Sequence, residues 1–123
     1  MDKYQAIDEF WNRFSIPAYD ESSVPDNAEL PYITYSAQTS DLVSGPVAMT
    51  ASLWYYGQSW AAVSKKAIAI SEYIGMGGIV SLYDGGALWI KRGSQFSQRL
   101  SDPDDPLIRR IILNIEAEYI SAN

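Results

Sequence analysis

The run Ser101-Asp102-Pro103-Asp104-Asp105-Pro106 places three carboxylates within four residues. Oxygen ligands at that density suit a hard divalent cation. The run lacks the ligand spacing and the glycine of an EF-hand loop. A solvated turn with its backbone fixed by prolines is the simpler reading. A calcium titration without heat or thermal shift would dispose of the metal. The chain carries fifteen acidic residues, so some close pair arises by chance. Hydrolysis by paired carboxylates therefore stays open, because separation in space decides it.

The other routes to catalysis are narrower. The chain has no histidine and no cysteine. That excludes Ser-His-Asp chemistry, a thiolate nucleophile, and zinc held by imidazole or sulfur. Gly75-Met76-Gly77-Gly78 lacks the pattern of a phosphate loop and follows a helix rather than a strand, so it reads as a helix stop. The expectation is a chain that is not an enzyme and needs no cofactor or metal.

The aromatic cluster of Trp54, Tyr55, Tyr56 and Trp60 points elsewhere. Neighbouring residues on a strand face opposite ways, so Trp54 and Tyr55 cannot both enter the core. One of them needs a cover, which is either the first helix or a second subunit. Tyrosine and tryptophan bury large areas at interfaces while keeping a polar tip.

Charge limits the partners. The net charge is −6. Residues 1–57 hold eight acids (Asp2, Asp8, Glu9, Asp20, Glu21, Asp26, Glu29, Asp41) and two bases (Lys3, Arg13), while residues 58–123 balance at seven of each. Phosphate binding needs clustered Lys and Arg, so direct nucleic-acid binding is not expected. The start, MDKYQAIDEFWNRF, lacks the apolar stretch of a signal peptide. The stretch from Trp60 to Ile74 is too interrupted by polar residues to cross a bilayer. A cytoplasmic location is the expectation.

A single domain over residues 1–123 fits the length. Tyr4, Ile7, Phe10, Trp11 and Phe14 recur at helical spacing, and Pro17 ends that helix. Residues 17–30 form an acidic, proline-punctuated loop. Pro31 to Gln38 reads as a strand, and a polar turn follows through Thr39, Ser40 and Asp41. Val47 to Tyr56 reads as a longer strand, with Val47, Met49, Ala51, Leu53 and Tyr55 on one face. Ser59 is a candidate N-cap for a helix whose buried stripe is Trp60, Val63, Ala67, Ile70 and Ile74. Ile79 to Asp84 and Ala87 to Arg92 form a hairpin around Gly85-Gly86. Residues 93–106 read as a loop carrying Phe96 and Arg99. Residues 107–120 suit either period, and their β-branched density favours a strand. The expected fold is α+β in the order α-β-β-α-β-β-β. About five strands would form a mostly antiparallel sheet with two helices packed on one face.

The stretch Lys91 to Tyr119 resembles the C-terminal region of small proteins from the head–tail module of siphophages and prophages. Pro31-Tyr32-Ile33-Thr34-Tyr35 resembles that pattern too, as does the strand Val47 to Tyr56 running into an amphipathic helix. The family it resembles is the tail terminator, or tail completion, group. The acidic stretch from Asp20 to Glu29 departs from it. The resemblance implies a structural virion protein with no catalysis. It would form a ring, hexameric when assembled, that caps the tail tube and meets the head–tail connector. Its partners would be itself, the tube protein and the connector, with no membrane. It would reside in the virion or the host cytoplasm. The candidate contact residues are Trp54, Tyr56, Phe96 and Arg99, with Asp102, Asp104 and Asp105 in the adjacent loop and Arg109 and Arg110 beside them. A ring uses two unlike patches that fit each other, and the aromatic strand and the Phe96–Arg99 loop are the candidates. The alternative is a small cytoplasmic regulator or inhibitor module that binds one partner protein.

Overall fold

The computed structural model of the chain describes residues 1–37 and 45–121. The turn expected at Thr39 to Asp41 lies outside the described residues. The elements are α1 (Lys3–Trp11), β1 (Ala18–Asp20), β2 (Tyr32–Tyr35), β3 (Val47–Tyr56), α2 (Ala61–Ile74), β4 (Ile79–Tyr83), β5 (Gly86–Ser101) and β6 (Ile108–Ser121). The strands make one six-stranded sheet in the order β1-β2-β3-β6-β5-β4. β1 runs parallel to β2, and every other pairing is antiparallel. The fold is α+β with a mixed sheet.

Helix α1 stops at Trp11 with Asn12 as its C-cap, well before Pro17, and the N-cap of α2 is Trp60 rather than Ser59. Three further features differ from the sequence expectation. The first is β1, three residues inside what reads as an acidic loop. It is the strand that takes the sheet from five to six and makes it mixed. A strand that short has no periodicity to detect. It is held by the side chain of Asn12, whose Oδ1 accepts the Ala18 N–H at 3.0 Å. The second is β5, which runs to Ser101 through half of the expected 93–106 loop. Its register against β6 slips between Arg92 and Ser97. Gln95 takes a positive φ of 53° there, and the Asn114 side chain donates to the Gln95 carbonyl at 2.8 Å. Gly93 lets the strands approach closely at this bulge, where a Cβ would lie a tight 3.0 Å from the Asn114 backbone. A bulge absorbs residues that read as a loop and lets the strand continue. The third is the hairpin turn, which is Asp84-Gly85 rather than Gly85-Gly86, since Tyr83 pairs with Gly86. Gly85 supplies the positive φ of 90° that a two-residue turn requires.

Alternation sorts the sheet into two faces. Ile33, Met49, Ala51, Leu53, Leu88, Ile90, Ile111, Leu113, Ile115 and Ala117 are buried on the inner face. Residues 107–120 therefore resolve as a strand, because only a period of two buries Ile111, Leu113 and Ile115 together. Helix α2 lies on this face with Val63, Ala67, Ile70 and Ile74 buried. Trp60 precedes the helix, and the Ser59 hydroxyl accepts the Ala61 N–H at 3.0 Å.

Helix α1 has a different task. A capping box starts it: Asp2 Oδ1 accepts from the Gln5 N–H, and Gln5 Oε1 accepts from the Asp2 N–H. Just ahead of it, the Met1 amine meets Asp84 Oδ2 at 2.7 Å, beside the β4–β5 turn. Its last turn meets β1 through Asn12. It thus straps the two edge strands of a curled sheet, and Ala6, Ile7, Phe10 and Trp11 fill the space beneath. No helix among the described residues is long and apolar enough to cross a membrane.

Two tyrosines report on this closure. Burial raises the hydroxyl pKa of Tyr35, and its hydrogen bond to Asp8 Oδ1 at 2.7 Å raises it further. Burial does the same to Tyr119. Both keep their protons in the folded chain after an unfolded tyrosine, near pKa ~10, has ionised. Their contribution to stability is complete below pH ~10 and is lost as pH rises beyond it. In urea titrations, Tyr35→Phe should therefore show a shallower loss of stability above pH ~10 than the parent chain. Identical slopes would refute the assignment.

Candidate functional site

The curled sheet separates the candidate residues into two surfaces on opposite faces. Trp54, Tyr56 and Arg110 lie on the outer face, while Phe96, Arg99 and Arg109 lie on the side of α2.

The outer surface is a cross-strand row. Tyr32 pairs with Trp54, Trp54 with Arg110, and Arg110 with Leu100. Directly opposed side chains on one face are in contact range. The Arg110 guanidinium lies 4.3 Å from the Trp54 ring centroid. The Trp54 indole N–H donates to Thr34 Oγ1 at 2.9 Å, and Arg110 Nε donates to Ser52 Oγ at 3.1 Å. Tyr19 packs edge-on against Tyr32 at 5.7 Å and extends the row to the sheet edge. Tyr56 is exposed nearby, opposite Ile108. Trp54 is not part of the core; Tyr55, pointing the other way, packs against it.

A second aromatic centre closes the end of the sheet. Trp60 sits between two guanidinium groups, with Arg99 at 4.9 Å and Arg109 at 5.3 Å from its ring centroid. Arg109 donates to the carbonyls of Pro106 and Gln58. The Asp-Pro loop lies alongside. Asp102 Oδ1 accepts the N–H groups of Asp104 and Asp105 at 2.8 and 3.0 Å, and Asp105 Oδ1 accepts that of Leu107 at 3.0 Å. Two of the three carboxylates thus hold the loop's own backbone, while Asp104 is exposed. Among the described residues, no three His, Asp or Glu side chains are grouped to hold a metal ion. Asp102→Ala should cost about 1 kcal/mol in urea unfolding, the usual value of a local side-chain cap. A loss below ~0.3 kcal/mol would show that the loop holds its shape without it.

Between α2 and β5 lies a cavity of about 470 Å³. Ser64, Ile68 and Ser71 line it from the helix, Phe96, Ser97 and Arg99 from β5, and Ile111 from β6. Arg92 reaches its far end and donates to Ser71 Oγ at 3.0 Å. Of this set, the sequence points only to Phe96 and Arg99. Ser64 and Ser71 are seven apart, two helical turns on one face, which is a legible signal. Ser97 is hidden in a stretch that reads as a loop, and Arg92 looks like any charge at the end of a strand.

A third surface gives no signal in the sequence. On the outer face at the β4 edge, Leu82 pairs with Ala87 and Ala87 with Ile120, and Val80 pairs with Trp89. Leu82 is 72 % exposed, Val80 60 % and Ile120 49 %. Together they make an exposed apolar row along this edge.

Charge is left unpaired. Among the described residues the ion pairs are Met1 amine with Asp84 and Arg13 with Glu9. Arg92, Arg99, Arg109 and Arg110 donate instead to hydroxyls and carbonyls. Arg99, Arg109 and Arg110 also lie over tryptophan rings.

The class defined by these observations is an α+β chain with a curled mixed sheet strapped by one helix. It bears arginine–tryptophan surfaces on both faces. No protein-family model matches the chain, and no curated protein matches it by sequence.

Proposed function

We propose that the chain is a structural assembly protein that joins copies of itself into a ring, in the manner of a siphophage tail terminator. In that role it caps the tail tube and meets the head connector. The observation that carries this reading is the pair of arginine–tryptophan surfaces on opposite faces of one sheet. Among the described residues, no arginine of either surface forms an ion pair; Asp102 and Asp105 beside Trp60 accept from their own loop's backbone instead. Two separate patches on opposite faces suit head-to-tail association with complementary surfaces of neighbouring copies, which closes a ring when the rotation allows. The exposed row of Val80, Leu82 and Ile120 offers a further apolar contact for a tube or connector subunit. The absence of histidine and cysteine accords with a role that needs no chemistry.

The test is light scattering after size exclusion, with and without tail-tube protein, followed by electron microscopy of the mixture. A hexameric ring, free or on the tube, is the expected result. A tight dimer that persists when tube protein is added would overturn the ring and favour the small regulator module.

A further inference from the structure

We propose that the groove between α2 and the second half of β5 receives the acidic segment 20–29 of a second copy of this chain, joined head to tail. The inference rests on the assembly reading above and names the contact that would build it.

Among the described residues, the groove offers positive charge with only neutral partners. Arg99 reaches Ser64 Oγ at 3.4 Å and lies over the Trp60 ring, and Arg92 donates to Ser71 Oγ. Both arginines are exposed. A hydroxyl satisfies a guanidinium N–H without cancelling its charge. Exchange for a carboxylate gives a shorter, charge-assisted bond. The hydroxyls of Ser64, Ser71 and Ser97 then become donors to the same carboxylates.

One wall of the groove is an unpaired strand edge. The ladder between β4 and β5 ends at Ile79 and Ile90. Beyond Ile90, no described strand pairs with β5 on the side away from β6. Proteins ordinarily cover such edges.

The chain itself carries the complement. Residues 20–29 hold Asp20, Glu21, Asp26 and Glu29 and no base. Glu21, Asp26 and Glu29 are exposed, and among the described residues the side-chain hydrogen bonds of the segment are local, from Ser22 to Asp20. The segment leaves β1 and enters β2, at one end of the sheet order, whereas β5 lies beyond β3 and β6. The two patches are unlike and separate, so their contact is heterologous and can propagate around a ring.

The cysteine-free chain suits disulfide trapping. Asp26→Cys and Ser64→Cys are made separately and mixed under mild oxidation, with circular dichroism confirming each fold. The mixed disulfide between the two variants is expected well above either like-with-like dimer. Adding Arg99→Glu to the Ser64→Cys partner should cut its yield by about tenfold or more, since like charges now meet. Adding Glu29→Arg to the other partner should restore it. Statistical pairing, no cross-link, or indifference to Arg99→Glu overturns the proposal. If light scattering shows a ring while no mixed dimer forms, the groove contact falls and the ring stands. If the mixed dimer forms but no closed ring appears with tube protein, the contact stands and the terminator role falls.

Discussion

Phe10→Ala is expected to cost about 3–5 kcal/mol, the usual loss for emptying a buried aromatic site. Phe10 is fully buried. Its ring meets Trp11 at 4.7 Å and Phe14 at 5.4 Å, both edge to face. It also approaches Tyr73 of α2 at 6.3 Å. The position is costly for a second reason. Helix α1 straps the two edges of the sheet, so loosening it releases β1 and β4 together. A domain of this size holds only about 5–15 kcal/mol in total, so the variant should lose a large share of its stability. Urea denaturation followed by far-ultraviolet circular dichroism measures it. Tyr4→Ala is the control: Tyr4 is on the same helix but 52 % exposed, and its change should stay within about 0.5 kcal/mol. A loss below ~1 kcal/mol for Phe10→Ala would mean that the strap is dispensable.

Trp54→Asp is expected to abolish assembly while leaving the fold in place. From sequence, the indole is core or interface with nothing to choose between them. In the structure it stands on the outer face, outside the core. Folding stability loses one hydrogen bond to Thr34 and the contact with the Arg110 guanidinium, about 1–2 kcal/mol together. The new carboxylate sits opposite Arg110 and recovers part of that. Association loses its aromatic anchor, and truncating such an anchor commonly costs about 2 kcal/mol or more. Light scattering and circular dichroism on the same sample separate the two effects. Unfolding would return Trp54 to the core; unchanged assembly would remove the outer surface from the interface. Tyr56→Ala is a milder companion, since Tyr56 is 58 % exposed.

Much of the frame was legible because its periodicities are long. The Ile7, Phe10 and Trp11 part of the α1 stripe, the ten-residue alternation of β3 and the α2 stripe from Val63 to Ile74 repeat often enough to fix element and face, while Tyr4 is exposed and Phe14 lies beyond the helix. The final strand was settled by the same rule once three alternate isoleucine and leucine positions were seen buried together. What failed was short or composite. β1 has three residues, and its parallel partner β2 starts only at Tyr32, well after Asp20. β5 contains a bulge, and its glycine and polar residues read as a loop. The position of the hairpin turn came down to which glycine needed a positive φ.

The candidate site divides along the same line. Residue type identified the arginines and tryptophans, because only large cationic and aromatic side chains suit such contacts. Their grouping came from pairings across strands far apart in sequence. Trp54 meets Arg110 across the β3–β6 ladder, and Trp60 meets Arg99 and Arg109 from two further strands. Asp102 and Asp105 look alike in sequence to any exposed acids. Backbone geometry alone shows that they bind their own loop.

By itself, the sequence determined the chemistry this chain lacks: without histidine and cysteine there is no imidazole base and no thiolate. It also determined the periods of its long elements, since burying one face requires them. The tertiary structure decided the rest. Sheet order and register set which side chains are neighbours, and α1 spans the two edges of the sheet. These depend on non-local pairing, which a local pattern does not encode. The Asp-Pro run met first in the sequence shows the difference. Its three carboxylates allowed either a cation site or, more simply, a solvated turn, and the folded chain uses two of them to hold a turn beside Trp60 and its arginines.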